Sequence, residues 1–238
     1  HASGADWRWR SMRTYPIFLK LAGRRAVVVG GGSVGLRRVR SLVEAGAEVT
    51  LIAQELAASG APGERGDQPA ADPAPPGEAG VPDGVRLLRR AYRPGDVAGA
   101  AVVFACTHDR SLNARIVADA RAAGALANAA DQPEHCDFYA ASTHRAGDVV
   151  VAIGTGGAAP AVSHLLRERI AAELPEDLGA FVAALSELRR ELQQREPDGR
   201  RRMALATRLA GEDGHAAFAR GGPAGLRTLL DELEGASE

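Results

Sequence analysis

Two short blocks of this sequence carry residue types suited to chemistry: Gly30-Gly31-Gly32-Ser33-Val34-Gly35 and Asn128-Ala129-Ala130-Asp131-Gln132-Pro133. The first satisfies G-x-G-x-x-G. In that pattern the first glycine makes a tight turn, the second lets the backbone approach a diphosphate, and the third lets a helix pack closely on a strand. Free N–H groups and the positive end of the helix dipole then hold the anion. Gly30, Gly32, Ser33, Val34 and Gly35 are therefore candidate cofactor-binding residues, against the plain alternative of a glycine-rich turn in an unrelated α/β domain. In the second block Asp131 stands just past a strand, where a carboxylate can take up protons as C–H and N–H bonds of a ligand are lost. Its plain alternative is a turn-forming or helix-capping Asp before Gln132-Pro133.

The flanking pattern supplies the elements such residues need. Arg25 to Gly30 is an apolar run fitting a strand buried on both faces. From Ser33 to Ala45, Leu36, Val39, Leu42 and Val43 recur at helical spacing, and Gly46 stands where a C-terminal cap belongs. Glu48 to Ala53 is a second β-branched run, so strand, glycine loop, helix and strand fit one βαβ crossover. Further strands are expected at Ala101–Thr107 and Ala125–Ala130, with a helix at Ser111–Ala123 between them. Two strands, Phe138–Ser142 and Asp148–Ile153, are expected around a turn at Arg145–Gly147. A helix opened by Pro160 follows, with Val162, Leu166 and Ile170 on one stripe, and from about Pro175 the periodicity is helical, broken at Pro197 and at Gly221–Pro223. Gln54 to Gly84 is rich in Ala, Pro and Gly and is expected to be a flexible insertion.

Other residues near the strand ends are weaker candidates. The second strand ends in Ala53-Gln54-Glu55, with no adjacent base to welcome a 2′-phosphate, which favours NAD over NADP with Gln54 and Glu55 near the ribose. Thr107 is a candidate contact on the nicotinamide side or a simple strand terminus. Thr155-Gly156-Gly157 enters a helix and offers N–H groups for a carboxylate, or merely starts the helix.

Composition bounds the rest. A formal charge of −1 gives no electrostatic case for nucleic acid or an anionic membrane. The two cysteines, Cys106 and Cys136, suggest neither a disulfide framework nor a thiolate zinc site, and point to a reducing cytoplasm; Cys106 is expected to be inert core and Cys136 structural. Histidines 108, 135, 144, 164 and 215 lack metal-ligand spacing, so no resident metal is expected. The stretch before Met12 lacks the apolar core of a signal peptide and reads as an extension.

Tyr15-Pro16-Ile17-Phe18-Leu19-Lys20-Leu21 leading into the glycine loop, then Phe104 to Asp109 with Asn113, Asn128 to Pro133, Cys136-Asp137-Phe138, and Val151 to Pro160 followed by LLRERI together resemble the siroheme-synthase N-terminal family, precorrin-2 dehydrogenases and sirohydrochlorin ferrochelatases. The blocks run from about Tyr15 to Leu174 apart from the insertion. The resemblance implies an α/β fold with a Rossmann-type parallel-sheet domain (13–140), a small central dimerisation segment (141–173) and a C-terminal α-helical domain (174–238), after an N-terminal tag or disordered extension (1–12). It implies NAD-linked oxidation of precorrin-2 to sirohydrochlorin and, in bifunctional members, insertion of Fe²⁺ into that ring, by a homodimer. Asp131 matches the family's catalytic aspartate, and Asn128, Thr155, Gly156 and Gly157 are the implied substrate-binding residues. A macrocycle bearing several carboxylates calls for arginines, for which Arg145, Arg167 and Arg169 are candidates or merely surface groups. Ala129-Ala130, where the family usually carries bulkier aliphatics, and the long insertion depart from the pattern. No methyltransferase-like segment follows, so methylation would fall to another protein or another part of the gene product. Three other readings stay open: a dehydrogenase without chelatase activity, a non-catalytic NAD- or tetrapyrrole-binding module, and an NADP reductase of another substrate.

Overall fold

The computed structural model describes residues 14–57 and 80–235. The N-terminal extension and most of the Gln54–Gly84 insertion lie outside the described residues.

The first compact unit runs to Ala141 and takes in Gly154–Ser163. Its centre is a five-stranded parallel sheet in the order β3-β2-β1-β4-β5. The strands are β1 (Arg25–Val29), β2 (Glu48–Ile52), β3 (Arg86–Leu88), β4 (Val102–Ala105) and β5 (Leu126–Ala129). Each of Val102, Val103, Phe104 and Ala105 is buried, the signature of a strand covered on both faces. Helix α1 (Ser33–Glu44) covers one face by packing Leu36, Val39 and Leu42 with Val28, Leu51 and Phe104. Helix α2 (Arg110–Ala122) covers the other, with Ile116, Val117 and Ala120 against Val27, Val103 and Ala127. Full burial of each such aliphatic chain contributes about 1.5–3 kcal/mol. The chain leaves β1 in one direction along the sheet and leaves β4 in the other, so the crevice between their carboxyl ends is the place where open α/β sheets bind ligands. Val81, within the stretch expected to be flexible, is buried in the α1-side core, because an isolated apolar residue after the Ala/Pro/Gly run still finds apolar neighbours there.

The second unit comprises Ser142–Ile153 and the residues from His164 on. Residues 141–173 are thus divided between the two units. Strands β6 (Ser142–Ala146) and β7 (Val149–Ile153) form an antiparallel hairpin. Its two-residue turn is Gly147-Asp148, with φ +57 at Gly147, the first central position where a type II′ turn requires glycine. The first strand therefore starts at Ser142 and not at Phe138. Phe138 is held elsewhere: its ring meets Phe104 edge-on at 5.3 Å and its carbonyl accepts from Asn128.

Helix α3 (Pro160–Glu173) opens as its proline requires, and Val162, Leu165, Leu166 and Ile170 on it are exposed. Helices α4 (Leu178–Arg195), α5 (Gly199–Leu209) and α6 (Glu212–Gly235) pack around Phe181, Leu188, Leu192, Leu205, Phe218, Leu226 and Leu230. The break at Pro197 separates α4 from α5. The one at Gly221–Pro223 is a kink inside α6, where Gly222 has φ +57 and ψ −146. The boundary between α5 and α6 falls at Ala210-Gly211, with Ala210 as the C-cap, glycine at the position after it, and Glu212 and Asp213 in the first turn of α6.

Candidate functional site

Gly30 to Gly35 lies between β1 and α1, and its geometry explains each glycine. Gly30 has φ +117, and a Cβ there would sit 2.3 Å from the Cys106 carbonyl oxygen. At Gly35 a Cβ would lie 2.0 Å from the Gly30 carbonyl oxygen, so α1 is pressed onto the turn. At Gly31 it would lie 2.2 Å from the Glu55 carbonyl oxygen, although this residue is an unspecified position in the motif. Gly32 is different: a Cβ there would meet nothing within 4 Å. Packing among the described residues therefore does not require glycine at 32, and the space above its backbone is open. No side chain caps the N-terminus of α1, whose N-cap is Gly32, and its first turn has no acidic residue. Ser33 is exposed and Val34 half-buried on that first turn. These residues fit a dinucleotide diphosphate. Gln54 and Glu55 are exposed immediately after β2, beside Gly31.

Thr107 follows β4 and is already engaged. Its N–H donates to Asn113 Oδ1 at 3.1 Å and its hydroxyl donates to the same oxygen at 2.7 Å, while Asn113 Nδ2 returns a bond to the Thr107 carbonyl. Asn113 is 1% exposed, so this pair builds the entry to α2 and favours the strand-terminus role for the threonine.

Asp131 is exposed, just beyond β5 at the same carboxyl edge of the sheet. Among the described residues it is the only non-glycine with positive φ, +57. Such a conformation is disfavoured for L-residues, less so for Asp, and clusters at functional sites. Its chemistry is that of an accessible carboxylate. Asn128 is half-buried and spends its Nδ2 on the Phe138 carbonyl, 2.8 Å away, and on Cys136 Sγ, 3.4 Å away. Asp137 binds the other side of that turn: its carboxylate accepts from the Ala127 N–H and from two nitrogens of Arg121. Burial opposes ionisation of Asp137, but the Arg121 and Ala127 hydrogen bonds outweigh it and hold its carboxyl below the ordinary range.

Arg37 and Arg38 lie off the apolar stripe of α1 formed by Leu36, Val39 and Leu42. The Arg38 guanidinium sits 5.7 Å from the centroid of the Phe104 ring. Burial pushes the Cys106 thiol up to about 11, the guanidiniums of Arg38 and Arg37 pull it down, and the Asp131 carboxylate pushes it up. Arg38 thus stands beside Phe104 of β4. The approach of Arg38 to Phe104 brings together residues of α1 and β4 that are far apart in the sequence.

The Thr155 turn holds itself together. Thr155 Oγ1 accepts from the Ala159 N–H and from the Ser163 hydroxyl, both at 3.2 Å, and Gly156 and Gly157 both have positive φ. This arrangement starts α3 whatever else it does. Arg145 and Arg169 are exposed, whereas Arg167 is 2% exposed and bonds His164 Nδ1 and Glu168. Burial removes Arg167 from the set able to meet a large anion. Among the described residues no cluster of three or more His, Cys, Asp or Glu is arranged to hold a metal ion. A cavity of about 330 Å³ lies in the helical unit, lined by Ala217, Arg220, Gly225, Thr228, Leu229 and Glu232, and none of the sequence-predicted site residues lines it.

Comparison with known proteins bears on this arrangement. A family model described as putative NAD(P)-binding matches residues 17–142. The chain is 33% identical over 227 residues to the siroheme synthase of Ectopseudomonas mendocina, an alignment covering 95% of this chain and 45% of that protein. It is 38% identical over 224 residues to the siroheme synthase of Gluconacetobacter diazotrophicus, covering 92% of this chain and 44% of that protein. It thus spans less than half the length of these relatives. A solved structure named SirC, precorrin-2 dehydrogenase, superposes with a TM-score of 0.67 at 19% identity, over 92% of this chain and 100% of that one, which shows a shared fold. The chain belongs to the putative NAD(P)-binding family and, with these relatives, to the siroheme-synthase N-terminal family that its motifs resemble.

Proposed function

We propose that this chain binds NAD on the Gly30–Gly35 loop and oxidises precorrin-2 to sirohydrochlorin, with Asp131 as the proton acceptor. One observation carries the proposal: an uncapped glycine loop with open space at Gly32 and a left-handed, exposed Asp131 follow strands of the same parallel sheet at its carboxyl edge. The siroheme synthases to which the chain is similar supply the substrate class.

NAD, when bound, supplies the acceptor for a hydride. The protein's residues do the rest. Gly30, Gly32, Ser33, Val34 and Gly35 present backbone N–H groups and the helix dipole to the diphosphate, and Gln54 and Glu55 stand where a ribose without a 2′-phosphate is read. Asp131 takes the proton that leaves the ring as the hydride is lost. Arg38 and Arg37 bring local positive charge to a substrate rich in carboxylates, which the balanced overall charge does not provide. Asn128, Thr155, Gly156 and Gly157 form the remaining substrate-side set. Fe²⁺ insertion into sirohydrochlorin is a second activity of the same site, with Asp131 accepting pyrrole protons and Fe²⁺ as substrate.

The protein acts as a homodimer in the cytoplasm. Supporting the dimer is the α3 face, where Val162 is 47% and Leu165 56% exposed, an apolar stripe that soluble proteins normally cover. Supporting the compartment are two free cysteines.

The test is anaerobic incubation of precorrin-2 with NAD, followed by Fe²⁺. Wild type is expected to oxidise precorrin-2. Asp131→Ala is expected to lose about 10²–10⁴-fold in the first rate and to lose the second, while still binding NAD. Unchanged rates in that variant would remove Asp131 from the mechanism.

A further inference from the structure

Asp131 does not hold its left-handed backbone alone. The residue before it is pinned, because the Ala130 N–H donates to the Ala105 carbonyl at 2.9 Å. The residue after it is pinned through its side chain: Gln132 is 3% exposed and its Nε2 donates to the Arg110 carbonyl at 3.1 Å, tying the turn to the start of α2. Beneath the turn, Cys136 Sγ accepts from the Ala129 N–H and from Asn128 Nδ2, each at 3.4 Å. The same sulfur lies 3.3 Å from the Ala129 carbonyl and 3.4 Å from the Gln132 carbonyl, and its single proton serves one of them at a time. Burial raises the Cys136 thiol above its ordinary range, so that proton stays in place at neutral pH.

We propose, resting on the reading of Asp131 as the proton acceptor, that Gln132 and Cys136 are positioning residues which clamp the 129–132 turn and so hold the Asp131 carboxylate out at the edge of the sheet. Neither side chain is assigned a contact with substrate or cofactor. A carboxylate on an exposed turn would otherwise sample positions from which proton transfer fails, and misplacement by about 1 Å can cost 10²-fold in rate.

The experiment uses the full chain with precorrin-2 and NAD, comparing wild type, Gln132→Ala, Cys136→Ala and Cys136→Ser. The alanine variants are expected to lower kcat roughly tenfold, a fraction of the loss that misplacement can cause, with KM for NAD unchanged. Serine keeps a donor and an acceptor and is expected to recover most of the Cys136→Ala loss. Unchanged kcat overturns the proposal, as does a loss of kcat and NAD affinity together without rescue by serine, since the network would then only support the fold. If wild type shows no turnover, the activity proposed above fails, and the clamp is judged by melting instead. In an Asp131→Gly background there is no left-handed strain for a broken clamp to relieve, so Cys136→Ala is expected to lower Tm further there than in wild type, by roughly 2–4 °C. Equal losses in the two backgrounds overturn the clamp.

Discussion

The Gly30–Gly35 loop and the Asn128–Phe138 loop end strands of the same sheet, yet they are built on opposite principles. The first is made by removing atoms. Gly30, Gly31 and Gly35 bring carbonyl oxygens to within 2.0–2.3 Å of where a Cβ would be, and the helix that follows lacks a side-chain cap. The second is made by adding them: Asn128 and Cys136 spend polar atoms on the loop's own backbone, Gln132 donates to the Arg110 carbonyl at the start of α2, and Asp137 accepts from the Ala127 N–H in β5. A diphosphate is recognised by bare backbone, whereas a single carboxylate must be aimed, and aiming takes side chains. The difference teaches that the fold tolerates no enlargement at Gly30, Gly31 or Gly35 of the first loop and no truncation of the second.

That contrast can be broken by substitution. The largest effect on stability is expected for Gly35→Ala, where the clash is with backbone that cannot move aside: about 3 kcal/mol, the upper end for overpacking, measured by urea unfolding. Asp137→Ala comes next, at about 2 kcal/mol, because the Ala127 N–H loses its acceptor. A smaller effect separates charge from shape at the same position. The Asp137 carboxyl is held below the ordinary carboxylate value of 3.8, so its contribution is complete above that pH and disappears as pH falls through the lowered folded value. The Tm gap between wild type and Asp137→Asn is therefore expected to be constant near neutrality and to close below 3.8; a gap that persists there assigns the effect to shape alone. The smallest change in stability, within about 0.5 kcal/mol, is expected for Gly32→Ala, whose Cβ meets nothing. NAD affinity measured by calorimetry should nevertheless fall at least about tenfold, or about 1.4 kcal/mol. Retained affinity would show that the space above Gly32 is not where the diphosphate sits.

The two loops also differ in how far they could be read. Glycines at 30, 32 and 35 between an apolar run and a helical pattern point to one geometry because few others need three such glycines. Gly31 escaped that reading, since its partner, Glu55, approaches only once β1 and β2 are paired. Asp131 was recognisable from its block, but its positive φ was not, and neither were the jobs of Gln132 and Cys136, whose partners are backbone atoms up to 22 residues away. Arg167 looked like a surface cation because its place on the helical repeat says nothing of what covers it.

Local pattern marked the strand–loop–helix–strand start of the sheet, the three motif glycines and the place of Asp131 just past a strand, because burial on both faces and missing side chains leave marks in residue type and period. The family resemblance added the parallel-sheet fold class. Tertiary structure alone decided where β6 begins, that Arg38 stands over Phe104 of β4, and that Val162, Leu165, Leu166 and Ile170 of α3 are exposed. The reason is common to all three. Each depends on which surfaces meet, and contact between distant segments is written in neither the spacing nor the propensity of the residues that make it.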